Sequence, residues 1–188
     1  ARSVKFGNAV ALIPESHIHA VHAAIHFAFS HQFASGGLNF FRDIARLSNS
    51  SGWSWDLFTY TALRARAEHC CYWALRLGQG LANLDIPPHV LKDLSPRISP
   101  RFAAVIEKHL SQVVLRAENA CPSVELRRRM WAYALCLRAT AFHNSEDWQI
   151  GRTSGIRNQP LRHFGNHLLR APAWSRYVAS LFPLLIAT

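Results

Sequence analysis

The sequence predicts an all-α fold, an irregular multi-helix bundle preceded by a short N-terminal β-hairpin. Three observations lead there. Apolar residues recur at helical intervals through most of the chain, as in Phe102, Val105, Ile106, Leu110 and Val113. Proline, glycine and serine clusters punctuate those stretches. Only the segment from Val4 to Leu12, which alternates around Gly7-Asn8, reads as strand.

The elements follow in order. Gly7-Asn8 suits a tight two-residue turn, so Val4 to Leu12 is expected to form two short strands. Pro14-Glu15 opens a first helix, expected to run to about Phe33, and Ser35-Gly36-Gly37 closes it. A second helix is predicted from Leu38 to about Leu47. Ser54 is an N-cap for a third, which carries Trp55, Phe58, Ala62 and Leu63 on one side with Asp56 in its first turn. Glu68 to Leu84 is a fourth helix, stopped by Ile86-Pro87-Pro88, with a short turn of helix through Leu94. Two further helices are expected, from Arg101 to about Ala117 and from Pro122-Ser123 to about Phe142. His143 to Gln159 reads as a long loop, and a last helical stretch begins near Leu161, breaks at Ala171-Pro172 and resumes to about Phe182.

Composition bounds the class. At 188 residues, 49% hydrophobic and 17% charged, the chain supports one well-packed globular domain rather than two large ones. Its net charge of +10 is uneven, because residues 1–94 hold eight Lys/Arg against six Asp/Glu and residues 95–188 hold thirteen against five. The surplus of +8 in the second half points to an anionic ligand or nucleic acid as partner, and six tryptophans among many arginines would suit base stacking. Arg127, Arg128 and Arg129 are successive helix positions, so they read as a solvated helix end rather than one binding face. Cys70, Cys71, Cys121 and Cys136 lack CxxC spacing and are expected to be small buried hydrophobes in a reducing, cytoplasmic compartment. No apolar run reaches the roughly 18 residues of a membrane helix, so no membrane partner is expected.

The chemistry-bearing residues cluster between Glu15 and Leu47. His19, His22 and His26 recur at helical spacing, with Ile18, Ala23, Ile25 and Phe29 nearby, and Arg42-Asp43 follows on the second helix. The expectation is that His22 and His26 are buried between the two helices and bonded to Asp43. A metal site of His22, His26 and Asp43 is a second reading, although the Glu of a zincin helix is missing. Direct contact of His22, His26, Arg42 and Asp43 with a substrate is a third. No catalytic residue is assigned.

Several of these segments resemble the uncharacterised bacterial nucleotidyltransferase family, a branch of the polymerase beta-like superfamily. The resemblance is carried by Leu12-Ile13-Pro14-Glu15 leading to His22-Ala23-Ala24-Ile25-His26, by Leu38 to Leu47 around Arg42-Asp43, by Trp53-Ser54-Trp55-Asp56, by Ala65-Arg66-Ala67 and by Ile86-Pro87-Pro88. It covers residues 4–95 well and the remainder only through helical character and the Leu181-Phe182-Pro183 ending. It implies that residues 1–13 are the remnant of an upstream nucleotidyltransferase sheet and that residues 14–188 form its helical, substrate-selecting domain. The family's paired strand carboxylates are missing, since the only adjacent pair, Glu146-Asp147, falls in a predicted loop. Nucleotidyl transfer is therefore not expected of this chain alone, and no cofactor is assigned to it. Magnesium and a nucleoside triphosphate are expected only with an upstream catalytic domain. Two alternatives stand beside this reading: a nucleic-acid-binding helical module, and a metal-dependent hydrolase built on His22, His26 and Asp43.

Overall fold

A computed structural model describes residues 2–116, 124–136 and 175–183, and within them the fold is all-α apart from one hairpin. Strands β1 (Arg2–Phe6) and β2 (Ala9–Ile13) pair antiparallel, with Val4 opposite Ala11 and Lys5 opposite Val10. The turn between them depends on Gly7, whose φ of 57° is the left-handed value that glycine adopts without a Cβ penalty. Because opposed residues share a face, Val10 and Leu12 lie with Ser3 and Lys5, and these two apolar side chains are 63% and 74% exposed. Val4, Ala11 and Ile13, on the other face, are half-buried.

The helices are α1 (Ser16–Phe29), α2 (Gly37–Ser48), α3 (Trp55–Arg64), α4 (Glu68–Ala82), α5 (Pro88–Leu94), α6 (Pro100–Val114) and α7 (Val124–Ala134), and residues 175–183 are also helical. Their starts follow local chemistry. Ser54 accepts from the Leu57 amide and Ser99 from the Phe102 amide, and α5 and α6 open on Pro88 and Pro100, where the missing N–H has no helical partner to lose. The chain divides into two compact units, residues 1–97 and 98–188.

In the first unit α1 packs against α2, α3 and α4, and α5 packs on α3 and α4. Its core is aromatic. Phe27 meets Phe33 edge to face at 5.1 Å, Phe40 in a stack at 5.4 Å and Phe41 edge to face at 5.9 Å, and Phe58 and Trp73 are fully buried as well. The first helix stops at Phe29, four residues before its expected end. Gln32 and Phe33 take φ of 46° and 56°, and the Phe33 amide donates back to the Phe27 carbonyl, so the chain reverses and tucks Phe33 beneath the helix. Burial of that ring supplies the driving force for a conformation L-residues otherwise avoid. The fourth helix likewise ends at Ala82, because Asn83 is left-handed and both it and Leu84 return their amides to the Gly78 carbonyl.

In the second unit α6 packs on α7 and is tied to residues 175–183 by two polar contacts. Lys108 Nζ donates to the Ser180 carbonyl at 2.6 Å, and His109, 1% exposed, hydrogen-bonds through Nδ1 to the Tyr177 hydroxyl. Burial and the nearby Arg127 charge hold the His109 imidazole down to about 4. Cys70 and Cys71 are buried thiols as expected, Cys70 pushed up to about 12 by desolvation and Cys71 raised well above its ordinary value by the same cause. Cys136 is a correction. It follows the last turn of α7 at φ 52° and is exposed. Cys121, the Glu146-Asp147 pair, the predicted loop from His143 to Gln159 and the predicted helix start at Leu161 lie outside the described residues. Among the described residues no helix is long and apolar enough to cross a membrane.

Two glycines of α4 make the packing testable. A Cβ at Gly78 would lie 2.6 Å from Leu84 Cδ1 and 3.2 Å from Phe41 Cδ1, whereas one at Gly80 meets nothing within 4 Å. Gly80→Ala should therefore stabilise by about 0.5–1 kcal/mol through helix propensity. Gly78→Ala should destabilise by about 1–2 kcal/mol, overpacking outweighing that gain. Thermal melts of the two variants, opposite in sign against the parent, check this.

The neutral, buried His109 makes the second unit sensitive to acid. An unfolded histidine takes up its proton near its model value of 6.5, while the folded one resists until about 4. Stability from this group is complete above 6.5 and falls as pH drops from 6.5 toward 4, by about 2–3 kcal/mol at pH 4.5. Urea denaturation at pH 7 and 4.5 should show that loss in the parent and a smaller one in His109→Gln.

Candidate functional site

The sequence-predicted residues sit on α1 and α2. The core side of α1 is Ala20, Val21, Ala24, Phe27 and Ala28, a stripe spaced i, i+1, i+4, i+7 and i+8. His19, His22 and His26 fall on the opposite side, and all three are exposed. The expected burial of His22 and His26 is thus overturned: small alanines, not imidazoles, allow α1 to approach its neighbours.

Asp43 does not serve the histidines either. Its carboxylate meets the adjacent Arg42 Nε at 3.8 Å, with both side chains solvent-facing. A surface pair at that distance contributes little. His22, His26 and Asp43 are not brought together, and among the described residues no three His, Cys, Asp or Glu side chains are gathered to hold a metal ion.

What the structure does bring together was missed in the sequence. His31 follows α1 on the reversing segment, its amide donating to the His26 carbonyl at 3.3 Å. That turn carries the His31 ring back to His26, so that the two Nε2 atoms are 3.2 Å apart and the ring centroids 4.8 Å apart at 90°. His22 stacks on the other side of His26, nearly parallel at 14° and 6.5 Å. His31 is fixed from behind. Its Nδ1 bonds Ser35 Oγ at 2.9 Å, and the Gly36 backbone lies so close that a Cβ there would be 3.4 Å from the ring. Gly36, at φ 74°, is also the N-cap of α2. Helix continuation to Phe33 would have placed His31 on the core side of α1, which is why the spacing alone concealed the pair. The Gly36-Gly37 dipeptide after a histidine-bearing helix end was the available signal.

Two other histidines of the first unit meet carboxylates. His17 pairs with Glu15 at 3.4 Å, and His89 of α5 lies 3.6 Å from Asp56 of α3. In the second unit Arg127 and Arg128 are half-buried and only Arg129 is exposed. The arginine run therefore presents no single cationic face, as its spacing implied.

With Asp43 at the surface and bonded only to its neighbour, Asp43→Ala should leave the melting temperature within about 0.5 kcal/mol equivalent of the parent. A thermal melt checks this, and a loss of about 1–3 kcal/mol would restore the buried-partner reading. Comparison of the chain with protein families, curated proteins and solved structures finds no match, so no family membership is shown.

Proposed function

We propose that this chain is the helical, substrate-selecting part of a nucleotidyltransferase-like protein, cytoplasmic, and not catalytic by itself. The observation that carries the reading is the solvent exposure of His22, His26 and Arg42, donors directed outward from a helical unit whose element order matches the resemblance. Groups so placed are available to phosphate oxygens of a nucleotide or another anionic ligand. The buried thiols of Cys70 and Cys71 suit a reducing compartment.

Catalysis is assigned elsewhere on chemical grounds. Two carboxylates on one strand hold the magnesium ions that organise in-line attack on a phosphate. Here β1 reads Arg-Ser-Val-Lys-Phe and β2 reads Ala-Val-Ala-Leu-Ile, without an acidic residue, so the described strands do not fit magnesium. In this reading the metal and its chemistry belong to an upstream catalytic domain, the partner of this one. The nucleic-acid and hydrolase alternatives lack such support, since Arg127 to Arg129 share no face and His22, His26 and Asp43 do not converge.

Incubated with magnesium, labelled ATP, GTP, CTP or UTP, and a mixture of small acceptors and RNA, the purified chain should transfer no label. It should bind ATP, and Arg42→Ala should weaken that binding about tenfold through loss of a charged donor. Equilibrium dialysis reads the second effect. The upstream reading frame should encode a Gly-Ser turn followed by Asp-x-Asp within ~150 residues, about one domain. Label transfer that disappears in His22→Ala would place the chemistry in this chain and overturn the proposal.

A further inference from the structure

The geometry points to a transition-metal site at the end of α1, in which the Nε2 atoms of His26 and His31 bind one divalent ion of the zinc, copper or nickel class. This inference shares His22 and His26 with the nucleotidyltransferase reading but rests on the His26–His31 geometry, which that reading does not use, and it does not involve Arg42 or Asp43.

The separation of the two nitrogens is the first support. Two ligand nitrogens each ~2.05 Å from a tetrahedral ion sit about 3.3 Å apart, and His26 and His31 hold theirs at 3.2 Å. Two imidazoles whose Nε2 atoms meet share one hydrogen bond along the line between them, whereas a metal ion about 2.05 Å from each nitrogen lies off that line and uses both lone pairs.

The second support is the setting of His31. A proton on Nδ1 donated to Ser35 Oγ leaves the Nε2 lone pair outward, the outer hydrogen bond that fixes tautomer and ring orientation in histidine metal sites. The Gly36 backbone against the ring limits its swing. His31 is therefore a positioned ligand on a turn whose backbone is bonded to the His26 carbonyl.

His22 completes the set. It lies one helical turn before His26, the i, i+4 spacing by which two histidines of one helix face share a zinc ion. Its ring stacks nearly parallel to that of His26, with centroids 6.5 Å apart, so it lies beside the pair as a further donor. Imidazole donors without a carboxylate favour copper, nickel and zinc over magnesium or calcium. Two or three protein nitrogens leave a coordination position open to water or an anionic oxygen.

The test uses the full chain, purified without an oligohistidine tag and stripped with chelator, titrated with Zn²⁺ by calorimetry. One equivalent should bind. His26→Ala and His31→Ala should each weaken binding on the order of a hundredfold, and Ser35→Ala about tenfold. His22→Ala should lower affinity less, and His89→Ala, on α5, should not change it. Paramagnetic Co²⁺ added to the unsubstituted chain gives a reading that does not depend on variants folding: the imidazole resonances of His26 and His31 should broaden before those of the other histidines. Failure to bind at about 1 mM free Zn²⁺, a range covering even weak sites, would overturn the assignment. So would binding unchanged in both His26→Ala and His31→Ala, or first broadening at any other histidine.

Discussion

The burial of Phe27 is the constraint on which the first unit depends. Its ring, at the end of α1, is the common neighbour of Phe33 from the reversing turn and of Phe40 and Phe41 from α2. Each buried aromatic side chain contributes roughly 2–3 kcal/mol by area. That is enough to hold Phe33 in a left-handed conformation that disfavours L-residues by about 1–2 kcal/mol. The reversal is thus a packing result, and it has a polar by-product. To place Phe33 under the helix the chain must pass His31 over its outer rim, beside His26.

Much of this architecture is legible in the sequence where the signal is local. The hairpin, the Ser54 cap and the short helix reaching Leu94 each rest on the chemistry of one or two residues, and the structure has them where they were expected, whereas α4 closes at Asn83, ahead of the expected stop at Ile86-Pro87-Pro88. The errors come from non-local terms. Phe33 looked like the last turn of a helix, because nothing nearby announces that its ring will be drawn under Phe27. The histidines of α1 were assigned to the wrong face although Ala20, Val21, Ala24, Phe27 and Ala28 already formed a complete apolar stripe. Ile18 and Phe29 are larger and more apolar than alanine, yet it is alanine that lets backbones come close. Both are more than two-fifths exposed. The His26–His31 pair was hidden by the same misplaced helix end.

The two units treat histidine in opposite ways. His109 is buried, neutral and satisfied by one hydroxyl, in a position where a proton would be unwelcome both to the surrounding carbon and to Arg127. His19, His22 and His26 of α1 face water. Composition counts such residues together, and only burial separates a group that stiffens a core from one open to ligands.

The hairpin carries a geometric consequence of its own. A two-stranded sheet has two kinds of incompleteness at right angles to each other: outer backbone groups in the plane of the sheet, and side chains above it. A further strand alongside β1 or β2 would satisfy amides and carbonyls yet leave Val10 and Leu12 as wet as before. A layer resting on those two residues would dry them and do nothing for the edges. Extending the sheet and roofing it are therefore separate events, with separate partners allowed for each, and a chain that achieves one has not thereby achieved the other.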